Sequence, residues 1–410
     1  MATPQTDQPT RALLPGERLV WETDGQVERV GSTNEAIDEK YARGEVRIVT
    51  EQGRYPLNTV PALVDSTNYN LQPEFQRRHR WSHARQSRLI ESFIMNVPVP
   101  PIFLYEVKYS EYEVMDGLQR LTAIKEFYAD RFALEGLDEW AELNGRTYSA
   151  LPEQVRRGID RRYLSSVVLL YETAKDTIEA DRLKQLVFER INSGGEDLSS
   201  QEARNALYPG GMNRLCIELA RNEYLCRMWR IPVIPNLADD APIPAKLADN
   251  ELFKRMDDVE LVLRFFAHRQ RRDLWRSGTR LDNYLTRYLR DANSFDPKLL
   301  VALKQLFEET VQLVWEVLGE RAFWLWRDRA GKRGWVDRPT LIAYDSVMYA
   351  FSQSIGDKKR IRERKRAIVQ GLPKFYDTHY SDFDGRKTNA SDIARRDSAM
   401  TAYLARHIQK

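Results

Sequence analysis

YEVMDGLQRLTAIKEFY, residues 112–128, is the stretch from which the rest of the chain is read. YEVMD reads as a strand and LQRLTAIKEFY as a helix, with only Gly117 between them. The preceding PIFLYEV, residues 101–107, reads as the adjacent strand, joined through Lys108 to Glu111. A strand, a tight turn and a helix in immediate succession leave the first-turn N–H groups free and set a guanidinium beside them. That volume suits a phosphate. Arg120 can pair with phosphate oxygens bidentately, Gln119 can orient a water or a base edge, and Asp116 can hold Mg²⁺ directly or through water. The same residues also suit an ordinary junction in which Asp116 caps the helix, Gly117 relieves the turn and Arg120 faces solvent.

Working outward, Ser82 is placed to cap a helix through HARQSRLIESFIM, residues 83–95. Its Leu89, Ile90, Phe93 and Ile94 form one stripe, and Asn96 with Pro98, Pro100 and Pro101 stops it. A short helix is expected over Ser32 to Arg43. In GEVRIVTEQGRYPL, residues 44–57, Val46, Ile48 and Thr50 alternate, and Gln52-Gly53 reads as a turn between two strands. Downstream, SSVVLLYE, residues 165–172, is an apolar run of strand length. A helical stretch from Asp176 to Ile191 then ends at Asn192-Ser193-Gly194-Gly195, and Ser199 with Glu202 forms a capping box for the next helix.

Beyond residue 210 the pattern is long helices, such as DDVELVLRFFAHR (257–269) and PKLLVALKQLFEETVQLVWEVL (297–318), interrupted by the proline-rich stretch 231–245. Trp315, Phe323, Trp324, Trp326 and Trp335 fall in this half and are expected to pack between helices. The chain has 410 residues, more than one ordinary core of roughly 250 to 300 residues accommodates. The reading is therefore an arm over residues 1–20 outside the fold, a mixed domain over 21–210 and an all-helical domain over 211–410. No internal repeat at a fixed period is found, which disfavours a solenoid.

The 63 Lys and Arg nearly balance 60 Asp and Glu, so whole-chain charge does not mark a polyanion-binding protein. Any nucleic-acid surface must be local. The candidates are residues 268–280, where Arg269, Arg271 and Arg272 precede Trp275, and residues 357–366, with Lys358, Lys359 and Arg360. Solvated helix faces explain both clusters as well. Cys216 and Cys226 form no CxxC pair and the five histidines have no metal spacing, so a reducing cytoplasm is expected and zinc is not. With no signal segment and no long apolar run, a soluble protein off the membrane is expected.

FQRRHRW (75–81), QSRLIESFIMNVPVPPIFLYE (86–106) and YEVMDGLQRLTAI (112–124), followed by VFERINSGG (187–195) and LSSQEARNALY (198–208), resemble the GmrSD-type restriction-endonuclease N-terminal domain family in content and order. The resemblance covers roughly residues 55 to 210. It implies an α+β, ParB/sulfiredoxin-like fold whose D-G-Q-Q-R motif serves nucleotide binding and hydrolysis, in proteins that restrict foreign or modified DNA. Asp116, Gly117, Gln119 and Arg120 match that motif, whereas Leu118 stands where it has its first Gln, removing one polar group. Gln76, Arg77 and Trp81 resemble the family's first block and could add a phosphate contact and a stacking surface, although Trp81 also suits a core anchor and Arg77 a carboxylate partner. Asn192, Gly194 and Gly195 could line the pocket with N–H groups or form only a helix C-cap. The HNH-type nuclease domain that usually accompanies this family is not found after residue 210, so cleavage by this chain alone is not expected. The resulting expectation is a Mg²⁺-dependent nucleoside triphosphatase of a restriction or anti-phage system, with an NTP, DNA and a separate nuclease or defence subunit as partners. The alternative is a nonenzymatic DNA-binding or adaptor protein with a vestigial nucleotide pocket.

Overall fold

Tyr163–Leu169 pairs on one side with Thr50–Pro56, antiparallel, and on the other with Ile102–Lys108, parallel, which makes it an inner strand of a mixed sheet. In chain order the strands are β1 (Thr50–Pro56), β2 (Tyr69–Asn70), β3 (Ile102–Lys108), β4 (Glu111–Asp116) and β5 (Tyr163–Leu169), arranged β1-β5-β3-β4-β2. β3 and β4 form the expected antiparallel hairpin, turned at Tyr109-Ser110 with Ser110 at φ 61°. This computed structural model describes residues 13–21, 33–43, 48–70, 81–173, 177–192, 199–235, 243–275, 278–329, 331–383 and 389–409. The chain divides into two compact units, one from Asp24 to Leu198 and the other from Met1–Thr23 together with Ser199–Lys410.

In the first unit the helices are α1 (Asn34–Arg43), α2 (Val60–Asp65), α3 (His83–Met95), α4 (Leu118–Tyr128), α5 (Glu153–Asp160) and α6 (Thr177–Asn192). The Ser82 hydroxyl accepts from the Arg85 N–H and starts α3, and Asn96 at φ 58° ends it. Ile90 and Phe93 of α3 and Leu121, Ile124 and Phe127 of α4 cover Ile102 and Leu104 of β3 in one apolar core. Each such side chain, fully buried, contributes about 1.5–3 kcal/mol relative to exposure. On the opposite face α6 reaches β4, where Lys184 pairs with Glu113 and lies 5.5 Å from the ring centre of Tyr105.

Gln52-Gly53 does not turn the chain. It runs inside the continuous strand β1, with Gly53 opposite Ser166 of β5. A Cβ on Gly53 would stand 2.7 Å from the Ser166 hydroxyl oxygen, so the glycine serves close cross-strand approach rather than a bend. Val46, counted in the same alternation, lies outside the described residues.

The second unit contains α7 (Ser200–Leu207), α8 (Gly211–Leu219), α9 (Glu223–Trp229), α10 (Ala245–Ala248), α11 (Glu251–Lys254), α12 (Asp257–Leu274), α13 (Leu281–Ala292), α14 (Pro297–Leu318), α15 (Leu341–Gln353), α16 (Lys358–Glu363), α17 (Lys365–Thr378) and α18 (Ala390–Ile408). The Ser199–Glu202 capping box is formed at the start of α7. Cys216 and Cys226 are buried and not disulfide-bonded. No described helix is long and apolar enough to cross a membrane.

Two expectations for this unit are corrected. It is not all helical, because β6 (Trp326–Arg329) and β7 (Lys332–Trp335) form an antiparallel hairpin whose turn includes Gly331 at φ 81°. Trp326 and Trp335 are a cross-strand, edge-to-face pair at 5.6 Å, and Trp335 also meets Tyr376 of α17 edge-on at 6.1 Å. Nor do residues 13–20 lie outside the fold. Glu17 is fully buried and its carboxylate takes a fork from Arg269 at 2.7 and 2.8 Å. Gln270 donates to the Glu17 carbonyl at 2.6 Å and accepts from the Leu19 N–H at 2.8 Å. Composition and the lack of a period point to a free arm, and the buried Glu17–Arg269 pair, invisible in composition, overrides them.

Charges also line the interior of this unit. Arg264 and Asp345 form a buried two-pronged pair, and Arg271 lies 2.6 Å from Asp397, also buried. Burial pushes the Asp397 carboxyl up to about 7 against the pull of Arg271. The folded state therefore holds a proton there that the unfolded chain loses near the ordinary value of 3.8. Stability from this group is full below about 4 and falls as pH rises towards about 7. Asp397→Asn removes that dependence, so its melting temperature relative to the parent should rise between pH 5 and pH 8. The full span corresponds to about 4 kcal/mol. A pH-independent difference would contradict the buried neutral carboxyl.

Candidate nucleotide site

β4 ends at Asp116 and α4 begins at Leu118, so Gly117 alone makes the junction. It adopts φ 96°, in the left-handed region that favours glycine. A Cβ there would come within 2.3 Å of Ile102 Cγ2 and 2.8 Å of Ile102 Cβ, and Ile102 is itself fully buried. Conformation and space both require glycine. As N-cap, Gly117 supplies no side-chain bond to the helix. The first α4 bond runs from the Leu121 N–H to the Gly117 carbonyl at 3.0 Å, which leaves the amides of Leu118, Gln119 and Arg120 without intrahelical acceptors.

Of the ordinary-junction alternative, Gly117 does relieve the turn, whereas Asp116 does not cap the helix and Arg120 does not face solvent. The Arg120 side chain is 13% exposed, and its Nη2 donates to Asp116 Oδ2 at 2.8 Å and to the Pro101 carbonyl at 3.1 Å. Its Nε is buried without a hydrogen-bond partner. The Asp116 side chain is 36% exposed, and only Oδ2 is engaged by Arg120. Gln119 Oε1 accepts from the Trp81 N–H at 3.1 Å, which ties the start of α4 to the residue preceding α3. Leu118 is half-buried.

Trp81 packs against the apolar core while Arg85 lies 4.7 Å from its ring centre, the core-anchor alternative for this residue. Gln76, Arg77, Gly194 and Gly195 fall outside the described residues, and Asn192 is the last residue of α6. The structure thus brings Asp116, Gly117, Gln119, Arg120 and Trp81 together. It adds the Pro101 carbonyl and Ile102, which no linear signal marks because the pairing of Phe103 with Asp116 is what delivers them. Among the described residues no three His, Cys, Asp or Glu cluster as a metal cage.

The β4–Gly117–α4 junction and the Ser199–Glu202 cap both fall within the range of one family model. Residues 60–209 match the model of the GmrSD restriction endonuclease N-terminal domain. This segment is similar to that N-terminal domain over residues 60–209. No curated protein and no solved structure matches the chain. The GmrSD-type segment includes the D-G-L-Q-R junction and both blocks around α6 and α7, and it supports a part in restriction or defence. Its last residues, in and after α7, belong to the helical unit by packing, since the Ser199 hydroxyl donates to the Arg255 carbonyl at 2.6 Å and Arg204 donates to Glu260 at 2.9 Å.

The basic clusters outside the GmrSD-type segment separate. Arg269 and Arg271 are buried against Glu17 and Asp397, so a DNA backbone does not reach them as surface cations. Lys358, Lys359 and Arg360 are exposed on α16, with Lys358 paired to Glu309 at 2.8 Å, and Arg272 is exposed at the end of α12.

Proposed function

We propose that the chain is a nucleoside-triphosphate-binding and -hydrolysing component of a restriction or anti-phage defence system, with the nucleotide phosphates at the Asp116–Arg120 junction. The observation that carries this reading is the combination of an uncapped helix start with a guanidinium held beside it by Asp116 and the Pro101 carbonyl. A pre-positioned Arg loses little freedom on meeting an anion, and the free first-turn amides favour the same charge. A ParB/sulfiredoxin-like relationship of the sheet unit belongs to the same proposal.

The donor set fits Mg²⁺ carried on a nucleotide rather than in a protein cage. Asp116 offers the carboxylate oxygen that Arg120 leaves unused, and a single carboxylate with substrate phosphates and waters is an ordinary Mg²⁺ environment. The ion would supply neutralisation of phosphate charge. This chain's own residues bind and orient: Arg120 takes a phosphate oxygen, Asp116 fixes Arg120, and the Gln119 side-chain amide nitrogen offers its N–H donors to a water or base edge. DNA, a separate nuclease subunit and a cytoplasmic setting complete the proposal.

Hydrolysis of ATP, GTP, CTP and UTP with Mg²⁺, with and without DNA, tests it. One nucleotide should turn over, and Arg120→Ala and Asp116→Ala should each lower turnover by about a hundredfold or more while the melting curve remains cooperative. No turnover and no nucleotide-dependent thermal shift would sink the enzyme reading. Salt-sensitive DNA binding that survives both substitutions would then identify an adaptor.

A further inference from the structure

The helical unit holds a cavity of about 1460 Å³ where the end of α12 meets the starts of α13 and α18. The carboxylates on its wall are already engaged. Glu260 and Asp282 both pair with Arg204, and Asp382 lies beside Arg395 and His379. The remaining wall cations are Arg271, Arg272 and Arg280. Arg272 and Arg280 are exposed, and Arg280 makes no ion pair among the described residues.

Arg271 distinguishes this cavity from a merely basic surface. Its side chain is 3% exposed, it lies 4.9 Å from the ring centre of Tyr349, and none of its three nitrogens has a hydrogen-bond partner. Asp397 stands within ion-pair distance but outside hydrogen-bond geometry, and it does not line the cavity. A buried guanidinium without hydrogen bonds is costly, and its charge favours an anion in the adjoining cavity.

Two helix starts open on the same space. α13 begins at Leu281 without a side-chain cap from Arg280, and Ala390 and Ser391 at the start of α18 line the wall. Their first-turn amides add partial positive charge. Trp275, stacked on Tyr284 at 5.2 Å with an 11° interplanar angle, gives the wall a flat aromatic element.

The geometry points to a second ligand site in this cavity, for a phosphate-bearing molecule held by the exposed Arg272 and Arg280 over the buried charge of Arg271, with its organic part against Trp275. It is separate from the Asp116–Arg120 junction, since every lining residue belongs to the helical unit.

The test uses the full chain carrying Arg120→Ala, so that the strand–helix junction does not report. Pyrophosphate, AMP and single-stranded hexathymidylate are titrated by calorimetry. At least one should bind, and Arg272→Ala with Arg280→Ala should weaken it by about tenfold or more without moving the melting curve. Arg271→Gln with Asp397→Asn, which removes the buried cation and its titratable neighbour together, should also weaken binding. Preference for pyrophosphate or AMP identifies a small phosphate as the source, and preference for the oligonucleotide a strand backbone. Binding by none of the three, or binding that the exposed double substitution leaves unchanged, overturns the site.

Discussion

Asp345→Ala is expected to lower the stability of the helical unit by about 3–5 kcal/mol, the cost of leaving a buried charge without its partner. Asp345 and Arg264 are both almost completely buried, with Arg264 Nε donating to Asp345 Oδ1 at 3.0 Å and Nη2 to the other oxygen. Burial pushes the Asp345 carboxyl up, but Arg264 and His268 outweigh it and hold the group well below the usual carboxylate range. Removing the carboxylate strands the guanidinium, because Glu260 is its only other acidic neighbour among the described residues, at 3.4 Å. Burial meanwhile pushes the His268 pKa down, against the pull of Asp345. Denaturant unfolding of the full chain measures the loss. Arg264→Met with Asp345→Leu should recover much of it, since replacing both charges leaves none unpaired. If Asp345→Ala costs less than about 1 kcal/mol, the pair does not organise the interior.

Gly117→Ala should cost the sheet unit about 2–5 kcal/mol, from a positive φ that an L side chain resists and from overlap with Ile102. Ile102 cannot turn aside, because it is fully buried between the sheet and α4. The expected structural response is displacement of the first turn of α4, which would part Arg120 from the Pro101 carbonyl. Nucleotide turnover should therefore fall with stability. A double-mutant cycle with Ile102→Ala separates the two causes. Losses that are less than additive assign the cost to overlap, whereas full additivity assigns it to backbone conformation alone.

The features legible in the sequence were local ones. Ser82, Asn96, Ser199 and Glu202 mark helix ends because capping is a contact between residues a few positions apart. YEVMD, Gly117 and LQRLTAIKEFY specify the strand–helix junction by the same locality. Gly53 misled because a glycine that permits close strand approach and one that permits a turn look identical until the partner strand is known. Arg269 and Arg271 misled for a related reason. Their carboxylates, Glu17 and Asp397, are more than a hundred positions away, so a cluster of cations facing inward resembles one facing water. At the candidate site, residue identities were readable, but the Asp116–Arg120 pairing and the Pro101 carbonyl emerge only once β3 and β4 are in register.

The Glu17–Arg269 fork also bears on how the protein is made. The two residues are 252 positions apart, and the whole sheet unit, Asp24 to Leu198, is contained between them. A ribosome releases the acid long before its cation exists. The sheet unit is contiguous and can complete itself during that interval, whereas the helical unit closes only after α12 has emerged, with Glu17 waiting at the other end of the insertion. Trimming the first twenty residues would thus remove an interior part of the last unit to fold.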